Sequence, residues 1–210
     1  FLAFTDDDCA PEPEWLERLV VRLAEAPDAA IGGRTVNGLE DNVFSAASQA
    51  LLSYLYEYFN GDPSKPWFLA TCNFALDAKI FRSVGGFERS YPCAAGEDRD
   101  ISDRLRLRGH PMVYAPDAVV HHRHPLTLAG FWIQHFRYGR GARIYRREHR
   151  KRWGSDVRFE PPGFYWGLLS WPLRQERLRA PLVVSALMAV SQAANAAGFF
   201  WEWLNEKRGS

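Results

Sequence analysis

Cysteine is scarce: Cys9, Cys72 and Cys93 are the only three in 210 residues. They are too few and too scattered for a disulfide framework or a CxxC zinc site, and they fit a reducing, cytosolic setting. An excess of one charge is lacking too. Lys and Arg number 26 against 25 Asp and Glu, a net +1, which argues against a dedicated nucleic-acid partner. There is no internal repeat. With 47% hydrophobic and 24% charged residues, neither a disordered chain nor a collagen-like one is described. An initiator Met is also missing: the chain opens at Phe1 inside an apolar run, as a segment of a longer protein would. Even so, 210 residues suffice for a domain with its own core.

The patterning that is present alternates strand and helix. Phe1 to Phe4 reads as a strand that stops at Thr5-Asp6-Asp7-Asp8. Pro11 and Pro13 then introduce a helix with Trp15, Leu16, Leu19, Val20 and Leu23 on one face. Asp28 to Val36 and Trp67 to Leu76 read as strands, and Val43 to Phe59 as an amphipathic helix. A short helix is expected to stop at Gly85-Gly86. A loop through Pro92 and Gly96 leads to a helix from Glu97 to Gly109. Met112 to Tyr114 and Ala118 to His122 read as two short strands parted by Pro116-Asp117. This alternation predicts an α/β layered fold.

Beyond His124 the character changes. Leu128 to Arg152 reads as one long helix, with eight Lys or Arg from Arg137 to Arg152 against the single Glu148. An aromatic, proline-rich stretch follows from Phe159 to Pro172, and Ala180 to Trp201 carries no charge over 22 positions. That length would cross a bilayer. Ser185, Gln192 and Asn195 recur at helical spacing, which favours a helix lying in the interface. The expected divisions are therefore 1–126, 127–158 and 159–210. The basic helix reads as a cationic surface for anionic headgroups or a lipid-linked pyrophosphate, on the cytoplasmic face of the cell membrane. A merely solvated basic helix, and a tail packed on a core or a second subunit, are the competing readings.

Three clusters carry candidate chemistry. Asp6 and Asp8, alternate residues of an extended segment, would face one cleft, an oxygen-rich pair suited to Mg²⁺ or Mn²⁺. A solvated acidic turn is the plainer alternative. In Gly96-Glu97-Asp98-Arg99-Asp100, a carboxylate at a helix start is stabilised by free N–H groups, stays ionised and would serve as general base. Taken alone, the segment is better read as a plain helix cap by Asp98 or Glu97, and Asp100 suits a local cap or an acceptor contact. In Val119-Val120-His121-His122-Arg123-His124, His122 and His124 share one face of a strand. A neutral imidazole there would join a metal shell begun by Asp8.

The order of these segments is more specific than any one of them. The succession FLAFTDDDCAPEPEWL, TCNFALDAKIFRSVGGF, GEDRDISDRLRLRG, VYAPDAVVHHRH and QHFRYGRG resembles the family 2 glycosyltransferases, inverting nucleotide-sugar enzymes, over roughly Phe1 to Arg143. The resemblance implies a GT-A-like mixed sheet flanked by helices, followed here by the membrane-associated helical tail. It implies that Asp6 and Asp8 are the family's DxD, holding a divalent metal (Mg or Mn) on a nucleotide-sugar donor, with His122 able to join the shell. It implies that Asp98 is the catalytic base, and that Gly86 and Phe87, in the loop before it, and Glu97 shape the acceptor site. Gln134 and Arg137 resemble the donor-contacting QxxRW of processive synthases, with Tyr138 in place of Trp. The family's opening strand and the acidic residue that contacts the base would precede Phe1. The expected function is transfer of a sugar to a hydroxyl of a glycan or lipid-linked glycan, in polysaccharide biosynthesis. The alternatives are a non-catalytic membrane-associated scaffold that keeps the fold and a metal-dependent phosphoesterase, which would want ligands for two ions.

Overall fold

Five strands form one mixed sheet: β1 (Leu2–Thr5), β2 (Cys9–Pro11), β3 (Ala30–Asn37), β4 (Asn73–Leu76) and β5 (Met112–His122). Their order is β1-β4-β3-β5-β2. β3 and β5 run parallel, and every other neighbouring pair is antiparallel. The helices are α1 (Trp15–Glu25), α2 (Val43–Phe59), α3 (Ala78–Ser83), α4 (Glu97–Leu107), α5 (Leu128–Trp153), α6 (Pro162–Ser170) and α7 (Pro181–Arg208), with a 3-10 turn at Trp171–Arg174. This computed structural model describes residues 1–62, 65–91 and 95–208, so Pro92 and Cys93 of the loop before α4 lie outside the described residues. The chain divides into two compact units. The first is Phe1–Leu39, Leu55–Arg89 and Asp98–His124, and the second is Glu40–Tyr54, Ser90–Glu97 and Pro125–Ser210.

The first unit holds the whole sheet, with helices packed on it. In one core cluster Trp15, Leu19 and Leu23 of α1 meet Ile31, Ala75, Ala118 and Val120. Leu16 and Val20, expected on the same face of α1, are exposed instead. The sheet side chains here are mostly alanines, which accept one bulky residue per helical turn at i, i+4 and i+8. In a second cluster Ile80 and Val84 meet Ile101 and Leu105 of α4 against Phe74 and Leu76. The fold is the α/β arrangement that the alternation and the resemblance predict.

Three differences from the sequence reading have local causes. Cys9–Pro11 is a strand paired with β5, not the lead-in to a helix. The run from Trp67 forms a strand only at Asn73–Leu76. Before it, side chains take the backbone groups a ladder would have used: Asn60 accepts from the Trp67 N–H and donates to the Phe68 carbonyl, Ser102 accepts from Leu69 N–H, and Tyr56 from Ala70 N–H. Finally, Met112–His122 is one strand with a bulge, not two strands. Opposite β3 the register jumps from Gly33↔Ala115 to Arg34↔Val119, so that Pro116, which has no N–H to donate, stands outside the ladder.

The second unit is built around α5 and α7. Thr127 caps α5, accepting from the Gly130 N–H at 3.1 Å, and Gly154, at φ 65°, ends it in the left-handed region. The two helices touch backbone to backbone. A Cβ on Gly139 would lie 1.9 Å from the Asn195 carbonyl oxygen, and one on Gly198 1.9 Å from that of Phe136. Val184, Met188, Ser191, Ala194 and Gly198 form the buried stripe of α7. Leu182, Val183, Phe200, Trp201 and Leu204 remain exposed on the same helix. The expected cationic surface on α5 is partly ion-paired. Arg140 pairs with Glu202, Arg143 and Arg147 with Glu206, and Lys151 with Glu148.

Candidate active site

The acidic residues link the first and last strands in the sheet order. They do so as a turn, with the Cys9 N–H donating to the Asp6 carbonyl at 3.1 Å, so alternation along an extended strand is not what gathers them. The Asp8 carbonyl then accepts from the Arg123 N–H at 2.7 Å, continuing the β2–β5 ladder. This register sets Cys9 directly opposite His122, and opposed residues of an antiparallel pair leave the sheet on the same side. Ligand atoms of Asp6, Asp8, Cys9 and His122 consequently lie within 4.8 Å of one another. His122 Nε2 stands 3.1 Å from Asp8 Oδ1, and His124 Nδ1 3.0 Å from Asp8 Oδ2.

The electrostatics match a crowded acidic cleft. Partial burial, then the neighbouring Asp8, push the Asp6 carboxyl above its ordinary range, with Asp7 and Asp98 adding to the rise while His122 opposes it. Asp98 is thus close enough for its charge to bear on Asp6. Asp98 is the second residue of α4 and accepts from the Arg99 N–H at 2.7 Å. Withdrawal from water nevertheless dominates and raises its carboxyl, against the lowering influence of Arg99 and the backbone donors. The helix start therefore does not by itself keep this carboxylate at ordinary acidity. A raised carboxyl is the better proton acceptor near neutral pH.

A divalent ion fits the donor set. Asp8 Oδ1 is buried without a hydrogen-bond partner although His122 is near, as an oxygen aimed at a cation rather than at a donor would be. Two carboxylates and an imidazole suit Mg²⁺ or Mn²⁺, and the Cys9 thiol is within reach of the same point. Among the described residues this is the one group of three or more such ligands.

The other expected residues have local explanations. Gly86, at φ 66°, closes the turn after α3, and its carbonyl accepts from Arg104 at 2.6 Å. Phe87 joins Phe4 and Phe81 with ring centroids 5.2 Å apart. Asp100 is fully buried and binds Arg104 at 2.8 Å, so it anchors that turn instead of capping α4. Glu97 is the half-buried first residue of α4. Gln134 and Arg137 lie on α5, in the second unit. Gln134 donates to Tyr138 and accepts from Ser48, while Arg137 is exposed.

Three neighbours of the acidic group carry no signal in the sequence. Cys9 and Cys72 are hydrogen-bonded neighbours. That contact lowers the Cys9 thiol, and the same contact with burial raises Cys72. Tyr56 is buried, its hydroxyl raised by burial, and close enough to feel Asp98. Only the β2 register could have signalled Cys9, because nothing in the sequence pairs residue 9 with residue 122.

Comparisons with known proteins agree with the resemblance. Two sequences described as pre-mycofactocin glycosyltransferase, from Mycobacterium tuberculosis strains CDC 1551 / Oshkosh and ATCC 25618 / H37Rv, are each 31% identical over 148 residues. The match takes in 68% of this chain and 31% of theirs, so the chain spans about a third of the length of these curated relatives. Among solved structures, the mannosyltransferase PcManGT from Pyrobaculum calidifontis, in complex with GDP-Man and Mn²⁺, is similar at 14% identity. Its TM-score is 0.49, with 92% of this chain and 61% of that one covered. The profile of glycosyl transferase family group 2 matches residues 2–204, and the chain belongs to that family.

Proposed function

We propose that this chain carries the catalytic part of an inverting, metal-dependent glycosyltransferase that moves a sugar from a nucleotide-sugar donor to a hydroxyl of a glycan or lipid-linked glycan. The observation that carries the reading is the convergence of Asp6, Asp8 and His122 within 4.8 Å, with Asp98 bearing on the same cleft. Asp6, Asp8 and His122 would hold Mg²⁺ or Mn²⁺ on the donor diphosphate. When bound, that ion supplies Lewis-acid stabilisation of the departing diphosphate. Asp98 takes the proton of the acceptor hydroxyl as its oxygen attacks the anomeric carbon, and its raised carboxyl suits that transfer. One displacement inverts the anomeric configuration, so no second nucleophilic carboxylate is needed. Gly86 and Phe87, both in the first unit, would bound the acceptor. The exposed apolar face of α7, a helix long and apolar enough by composition to cross a membrane, supports peripheral attachment to the cytoplasmic face of the cell membrane.

The test uses the full-length protein with a panel of nucleoside diphosphate sugars. Asp98→Asn is expected to keep Mn²⁺-dependent nucleoside diphosphate binding in calorimetry while transfer falls by about 10²–10⁴-fold. Asp8→Ala is expected to lose the metal-dependent binding itself. Near-normal transfer by Asp98→Asn removes the base assignment, and metal-independent donor binding removes the DxD assignment.

A further inference from the structure

Within the second unit, α5, α7 and the segment that follows α5 line an open pocket of about 460 Å³ whose wall carries four guanidinium groups, Arg143, Arg146, Arg147 and Arg150, against the single carboxylate of Asp156. Three of these arginines already have acidic partners: Arg143 and Arg147 share Glu206, and Arg150 binds Asp156. Arg146 differs. It makes no carboxylate ion pair among the described residues. Its contacts are the Val157 carbonyl and the faces of Phe159, at 3.9 Å, and Phe199, at 5.8 Å. Burial is the chief influence on its guanidinium and lowers it, with Arg143 adding to the fall and Asp156 opposing it. A planar cation that is partly desolvated and makes no direct carboxylate pair keeps donors for an anion.

The opposite wall is aromatic. Phe199, Phe200 and Trp203 line it, and Phe200 is 57% exposed, continuing into exposed Trp201 and Leu204 along α7. An anion site that opens onto an apolar helix face matches an amphiphile, with charge at one end and hydrocarbon at the other. A free phosphate would leave the aromatic wall bare, and a nucleic acid would leave the apolar face in water.

We propose that this cavity binds the phosphate headgroup of an anionic membrane lipid, with Arg146 on the phosphate and the Phe200–Leu204 face of α7 against the acyl region. The site is distinct from the acidic cleft and stands whether or not sugar transfer occurs there, because its readout is vesicle binding.

The experiment is flotation of the full chain with phosphatidylcholine vesicles, with and without phosphatidylglycerol. Wild-type protein is expected to prefer the anionic vesicles. Arg146→Gln should weaken that binding about fivefold or more, the scale of one basic group at an anionic surface. Lys151→Gln, a charge on the same helix outside the cavity, should change it less than about twofold. Phe200→Ser, at an exposed position, should weaken binding to both vesicle types. Circular dichroism confirms that each variant is folded. Two results would overturn the proposal: wild-type binding by Arg146→Gln, or an equal loss with Lys151→Gln (charge acting diffusely).

Discussion

At the scale of single residues, buried polar side chains decide where the fold is tight. Asn73, 1% exposed, accepts from the Trp15 indole N–H at 2.8 Å and donates to the carbonyls of Arg34 and Ala118 at 3.0 and 2.9 Å. It thereby completes the ladder where the β5 bulge has broken it. Gly33 is needed at the same crossing, since a Cβ there would sit 2.2 Å from the Ala118 carbonyl oxygen. His135 shows the opposite condition: both ring nitrogens are buried with no hydrogen-bond partner among the described residues, and the ring packs 4.3 Å from Phe131. Burial lowers its pKa from 6.5 to about 4. The unfolded chain therefore binds the proton first, and stability present above pH 6.5 is lost as pH falls toward 4. The loss amounts to about 3 kcal/mol in all. Urea unfolding between those limits should show His135→Leu with a shallower pH dependence than wild type, and parallel curves would refute a neutral buried imidazole.

At the scale of elements, the meeting of α5 and α7 depends on two glycines and a set of ion pairs. With Gly139 and Gly198 at the crossing, the backbones approach too closely for any side chain. That proximity lets Glu202 and Glu206 reach Arg140, Arg143 and Arg147. Gly198→Val should part the helices and destabilise the second unit by about 1–3 kcal/mol, the usual scale of overpacking. Limited proteolysis is the direct measurement: cleavage within α7 should accelerate, and an unchanged rate would mean the crossing tolerates the side chain. The α3–α4 connection follows a related logic. Arg104, held by buried Asp100, grips the carbonyls of Val84 and Gly86 and so ties the turn after α3 to α4.

At the scale of the whole molecule, all four converging ligands belong to the first unit, whereas the long apolar helix and the arginine cavity belong to the second. A divalent ion that binds only the folded first unit stabilises it by mass action, about 2.7 kcal/mol at a hundred times its Kd. Hydrogen exchange with and without Mn²⁺ should therefore show added protection in residues 2–11 and 112–124 and none in residues 128–208. Protection spread evenly over the chain, or absent from the β2–β5 pair, would contradict an ion held by Asp6, Asp8 and His122.

The sequence by itself determined the order of elements and the chemical types at the site. The apolar run ending in Asp6-Asp7-Asp8, the Gly85-Gly86 stop, Asp98 at a helix start and the span of α2 are all local signals, set by periodicity, caps and turn residues within a few positions. Only the tertiary structure decided which of these meet. Register put Cys9 beside His122, and a turn rather than a strand brought Asp6 to Asp8. The bulge made one strand of two segments because Asn73, far away in the chain, supplies the missing hydrogen bonds. Burial raised Asp98 where a bare helix start would have lowered it, and α7 supplied partners for arginines that read as a free basic face. Each of these outcomes depends on contacts between distant residues, and a periodic pattern read along one segment carries no information about what will lie opposite it.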